Sequence, residues 1–138
     1  MAVLSEYEVL TITATGPVPA NVTKELFVKA DGSLCGAGEA AAGISAYDAD
    51  AGQELAIHAI GVFAVKAAAA IAVGDDVTSD ENGKAVKWTP TAAVHNGTVT
   101  GGVLADLTVD LTMPAKNGRA LTSCGSSGGT ILVKIFQY

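Results

Sequence analysis

The chain has 138 residues, a formal net charge of −6 and eight basic residues, so it lacks the clustered lysine and arginine that phosphate binding needs, which argues against a nucleic-acid partner. Hydrophobic residues make up 49% of the chain but aromatics only 5%, so the core has to be built from Ala, Val, Leu and Ile. Small side chains give thin layers and close backbones, which favour contact between subunits over a deep ligand pocket, and the length is that of one domain with a real core.

The first residues, Met1 to Glu6, lack a basic region followed by an apolar one, so no secretory leader is expected and folding in the cytoplasm is. Residues 3–15 read VLSEYEVLTITAT, an extended segment with no strongly apolar single face, and Gly16-Pro17-Val18-Pro19 then breaks regularity. Residues 1–18 are therefore read as an N-terminal arm and residues 19–138 as a single β-rich domain. Leu26 to Lys29 predicts a short strand closed by Asp31-Gly32, a favoured hairpin dipeptide. GAGEAAAG at 36–43 is a small-residue loop, and Asp48 to Gly52 is a second turn.

Leu55 to Val73, LAIHAIGVFAVKAAAAIAV, has the length and hydropathy of a membrane span. Lys66 argues against one, because a lysine at bilayer depth costs roughly 2.5–3.5 kcal/mol and alanine offsets little of it. The stretch also changes character. Leu55 to Val65 mixes β-branched and aromatic residues around Gly61 and predicts a bent strand or strand pair, while Lys66 to Ala72 predicts a short helical turn.

Beyond it, Asp80-Glu81-Asn82-Gly83 lies between two short apolar runs as a strong hairpin signal, and Asn-Gly recurs at 96–97 and 117–118. Thr98 to Val103 and Leu107 to Leu111 predict strands, with Pro114 after the second. SCGSSGG at 123–129 is a loop, and the closing ILVKIFQY is a strand that has to be paired or covered to avoid aggregation. Turn signals at such short spacing predict an all-β fold, a small barrel or sandwich, with one short alanine-rich helical segment and an extended arm.

The residues able to carry chemistry are few. Asp75, Asp76, Asp80 and Glu81 form the best candidate metal site, yet a calcium loop counted from Thr78 puts threonine at its first and twelfth positions, Thr78 and Thr89, where acids are needed. A solvated hairpin tip is the better reading, and no metal or cofactor is expected. His58 and His95 have no second histidine at ligand spacing; His58 reads as a hydrogen-bonded core or interface residue and His95 as exposed. Cys35 and Cys124 belong to no CxxC pair and read as free thiols. GSSGG at 125–129 lacks a P-loop ending and precedes a strand, so it has no helix dipole to hold a phosphate. Asn21-Val22-Thr23 and Asn96-Gly97-Thr98 match the glycosylation triplet by chance if the chain is not secreted. No residue is assigned a catalytic role.

Taken in order, Gly43-Ile44-Ser45-Ala46, Asp50-Ala51-Gly52-Gln53, Ala59-Ile60-Gly61-Val62-Phe63, Ala70-Ile71-Ala72-Val73-Gly74-Asp75 and Asn82-Gly83-Lys84-Ala85-Val86 resemble the tailed-phage capsid cement or head decoration family. The resemblance is good over residues 43–88 and loose over 98–138, and residues 106–130 are longer than the usual family ending. It implies a β-rich, non-enzymatic protein on the outer surface of a phage head, bound to the major capsid protein, commonly as a homotrimer, with no nucleic acid and no membrane involved. On that reading Tyr7, Val9 and Ile12 make the arm's capsid contacts, through addition of a strand to a sheet edge, and Trp88 anchors a subunit interface or fills the core. A β-sandwich module for glycans or host surfaces, as part of a phage fibre, is the alternative and requires an exposed aromatic platform. A small hydrolase would require a role for His58 or Asp75.

Overall fold

The computed structural model describes residues 9–90, 94–100, 103–110 and 113–135. Ten strands follow in order: β1 (Leu10–Thr13), β2 (Phe27–Val28), β3 (Gly43–Ser45), β4 (Ala56–Lys66), β5 (Asp76–Ser79), β6 (Ala85–Lys87), β7 (Val94–Thr100), β8 (Val103–Asp110), β9 (Gly118–Ala120) and β10 (Thr130–Ile135). The all-β fold expected from the turn spacing is what forms. Seven strands make a sheet in the order β2-β3-β4-β10-β9-β5-β6, with β1 added on β4, while β7 and β8 pair with each other as a separate two-stranded sheet.

The large sheet curls nearly into a barrel. The Phe27 amide donates to the Gly83 carbonyl at 2.7 Å, joining β2 to the β5–β6 turn, and the Ala68 amide donates to the Ala85 carbonyl at 2.9 Å, joining the end of β4 to β6. Closure of this kind covers the edges that an open sheet would present.

The alanine-rich stretch at 66–72 is not a helix, contrary to the sequence expectation, and no helix occurs among the described residues. Ala67 bridges Ala85 in parallel and Ile71 bridges Cys124. The reason is tertiary. Alanine favours a helix by only a fraction of a kcal/mol per residue, whereas here small side chains let the chain lie close to β6 and to the 124–129 loop, with Ala67 fully buried.

β4 is the axis of the fold. On one edge the Leu55 carbonyl accepts from Ala14 and the Ala67 amide donates to Gly129; on the other, the Ala56 carbonyl accepts from Ala46 and the Lys66 amide donates to Glu25. β1 therefore takes residues 56–60 and β10 residues 61–66 of the same edge. Between them the register slips, with Leu10 opposite Ile60 but Thr11 opposite His58, and Gly61 has a φ of 132°. This bulge resets the side-chain alternation. His58 lies opposite Ile44 and Val65 packs in the same cluster as Ile44, although seven residues apart on a regular strand they would face opposite ways.

Two cores result. Phe27, Ile44, Val65, Val77, Ile131 and Val133 fill the barrel. On the other side of the β2-β3-β4 sheet, Val28, Leu55 and Ile57 pack with Ala14, Val18, Val22 and Ala49. Ala14 and Val18, in the stretch read as the arm, are thus buried at 7% and 2% exposure. The closing strand β10 is paired on both edges, by β4 and β9, as its apolar sequence required.

Candidate binding surfaces

Of the arm residues singled out from the sequence, Tyr7 lies outside the described residues. Val9 is 63% exposed and Leu10 46%. Ile12 is half-buried and packs against the second core. β1 pairs with β4 and with no other strand among the described residues, so one edge of Leu10–Thr13 remains open to an added strand.

Trp88 is half-buried. Its indole Nε1 donates to the Pro114 carbonyl at 2.7 Å, and the Lys116 ammonium sits 4.3 Å from the ring centroid. Its backbone amide donates to the Asp76 carbonyl at 2.7 Å. The side chain therefore clasps the two ends of the excursion that contains β7 and β8.

Of the acids weighed for chemistry, Asp75, Asp76 and Asp80 have structural partners. Asp80 Oδ1 accepts from the amides of Asn82 and Lys84, shaping the hairpin tip. Asp75 Oδ2 accepts from the Ala72 amide, and its Oδ1 lies 3.8 Å from the Lys87 ammonium. Asp76 faces Arg119 at 3.2 Å and Lys116 at 3.4 Å; partial burial pushes its carboxyl upward, but the two cations outweigh that and hold it below the usual carboxylate range. Among the described residues no group of acids, histidines and cysteines is placed to hold a metal.

His58 Nδ1 is 3.1 Å from the Thr11 hydroxyl, and its ring stacks on Phe63 with centroids 4.0 Å apart. Burial lowers its pKa. The side chain of His95 lies outside what is described. Cys35 and Cys124 are both free thiols. Burial pushes Cys35 up to about 12, the opposite of what a nucleophile needs. The 125–129 loop pairs with the alanine stretch, Gly128 donating to Ala67 and Ala67 to Gly129. Tyr47 alone among the described aromatics belongs to the exposed large hydrophobic residues, which gives little of the platform a glycan module requires.

What sequence reasoning missed is the outer face of β4, β10 and β9. Register places Lys66 opposite Thr130, Ala64 opposite Leu132 and Val62 opposite Lys134, with Arg119 beyond Lys134. The Leu121 amide donates to the Leu132 carbonyl. Val62, Leu121 and Leu132 are all more than two-fifths exposed. The signal was the outward register of β10, Thr130, Leu132 and Lys134, but its neighbours could not be known before the pairing was.

A comparison with the curated proteins finds no match. Among solved structures, the chain is similar to the head fiber gp8.5 N base of bacteriophage phi29, with 17% identity, 94% of this chain and 95% of that chain covered, and a TM-score of 0.59; at that identity the likeness is one of fold. The sequence profile described as phage cement protein matches residues 4–135, nearly the whole chain, and the chain belongs to that family.

Proposed function

We propose that this cement protein binds the outer surface of a phage head, against the major capsid protein, as a homotrimer whose β1 edge adds to a strand of the shell. The family supplies the capsid role. The observation that carries the mode is the open edge of Leu10–Thr13, preceded by the exposed Val9 and built on β4, a strand that otherwise has partners on both sides. An added strand gains its affinity from main-chain hydrogen bonds and its specificity from alternate side chains. Many copies, each making modest contacts, then hold neighbouring capsomers by multivalency. No step of this role requires a catalytic group.

The test is binding to expanded heads. Because Ala14 is in the second core, the variants are confined to the exposed segment: Val9→Asp with Leu10→Asp, and Thr11→Pro, which places a proline in the strand. Head occupancy falls sharply for both while the free protein keeps its cooperative unfolding. Undiminished occupancy would remove β1 from the capsid contact.

A further inference from the structure

We infer that the β4–β10–β9 outer face receives the Tyr47–Glu54 turn of a second copy of this chain, head to tail. The inference rests on the multi-subunit reading above and names its interface. Lys66 on one side, and Lys134 and Arg119 on the other, three of the eight basic residues of an acidic chain, flank the cross-strand row of Ala64, Leu132 and Leu121, with the exposed Val62 opposite Lys134. An apolar centre with a charged rim is the anatomy of a protein interface. Arg119 is engaged by Asp76, but among the described residues no carboxylate lies within ion-pair distance of Lys66 or Lys134.

The complementary surface is on the same molecule. Between β3 and β4, the exposed turn carries Asp48, Asp50 and Glu54 beside Tyr47, which is 45% exposed. The Tyr47 hydroxyl donates to the Glu54 carbonyl at 3.2 Å and accepts from the Ala56 amide at 3.1 Å, so the ring is held in place. Asp48 accepts from the Lys24 amide, while Asp50 and Glu54 have no cation within ion-pair distance among the described residues. A fixed aromatic flanked by carboxylates fits a small apolar centre flanked by lysines.

The turn adjoins the start of β4, and the basic face lies on its second half. From Ala56 to Lys66, where that strand ends, the separation is up to about 33 Å along an extended chain. Contact between unlike patches is heterologous, and it closes into a ring when the rotation permits. A ring is what a homotrimer on a shell requires.

The experiment is charge reversal read by sedimentation velocity and native mass measurement of the intact protein, with head occupancy measured in parallel. Lys66→Glu with Lys134→Glu weakens self-association by about tenfold or more, as does Asp50→Lys with Glu54→Lys, and the chain carrying all four reversals associates again. Tyr47→Ala weakens association without a charge change. Asp50, Glu54 and Lys134 are exposed and Lys66 is half-buried; thermal unfolding verifies that each variant is folded, and Tyr47→Phe, which keeps the ring without the hydroxyl bonds, separates ring contact from loosening of the turn. Variants that assemble like the parent, a quadruple variant that is not restored, or a parent that is monomeric both free and on heads would each overturn the inference. Lost head occupancy with unchanged self-association would also overturn it, by assigning this face to the capsid. Failure of the cement reading is separate: the protein would then self-associate as described and not bind heads.

Discussion

The Trp88 indole and the Pro114 carbonyl are joined by a 2.7 Å hydrogen bond across 26 residues of chain. Only the side chain of Trp88 makes this tie, while its backbone amide holds the end of β6 to Asp76. Trp88→Phe keeps a ring beneath Lys116 but removes the donor, leaving a partly buried carbonyl without its partner at a cost of about 1 kcal/mol. The loss is local. Limited proteolysis within residues 89–113 accelerates severalfold, while the global unfolding midpoint moves by only a few degrees.

Gly43 and Gly16 make a matched pair. A Cβ on Gly43 would overlap the His58 carbonyl and press on Ile57, because β3 and β4 approach there without room for a side chain. Gly43→Val therefore parts the two strands and costs about 2–3 kcal/mol, in the range of overpacked cores. A Cβ on Gly16 meets nothing within 4 Å, and its φ lies outside the left-handed region. Gly16→Ala is neutral or stabilises by about 0.4–1 kcal/mol through the unfolded chain. Urea unfolding of both variants checks the contrast, and equal effects would contradict the close approach at Gly43.

Several of the sequence expectations depended on local chemistry and are met. Asp31-Gly32 and Asn82-Gly83 form turns with φ of 86° and 77° at the glycines, and the apolar closing strand is paired on both sides. Asn-Gly at 117–118 is different. Asn117 is buried, donating to the Glu39 carbonyl and accepting from the Ala41 amide, and Gly118 begins β9 at a point where a Cβ would meet Val133. At 96–97 the same dipeptide lies inside β7. A dipeptide has a turn propensity, but long-range packing decides whether it is used. The same holds for the alanine stretch, whose partners at Ala85 and Cys124 are distant in sequence. The second core was hidden for another reason: its members Val18, Val22 and Ala49 are isolated between turns and show no periodicity. The basic outer face was hidden because cross-strand neighbours become visible only once register is set.

Two groups give stability a pH dependence in separate windows. The Asp76 carboxyl is held below its ordinary value in the folded chain. Its contribution is present above the unfolded value, near 4 for an ordinary aspartate, and is lost as pH falls through the lowered folded value. His58 also has a lowered pKa, caused by burial. The unfolded chain takes up this proton first, so stability is full above about 6.5 and declines as pH falls below it toward the folded value. Chemical denaturation across pH separates them. His58→Gln removes the slope that begins near 6.5, and Asp76→Asn removes part of the slope that begins near 4. Added salt reduces the Asp76 contribution more, since its partners Arg119 and Lys116 are exposed.

Cys35 and Cys124 should separate under alkylation. Cys35 is fully buried, with its thiol directed at the Ala40 carbonyl, and burial pushes it up to about 12. At pH 8 it has almost no thiolate, which is the form that reacts. Cys124 is half-buried on the 123–129 loop, its sulfur near the Ala69 and Ser126 carbonyls. Iodoacetamide therefore modifies Cys124 in the folded protein, while Cys35 reacts only when the barrel opens. The rate at Cys35 should rise with urea in step with the unfolding equilibrium, and any variant that parts β3 from β4, such as Gly43→Val, should raise it in proportion to its destabilisation. Mass measurement of each cysteine-containing peptide over time distinguishes the two sites. Comparable native rates at Cys35 and Cys124 would mean that the barrel opens around Phe27 and Ile44 far more often than its packing implies.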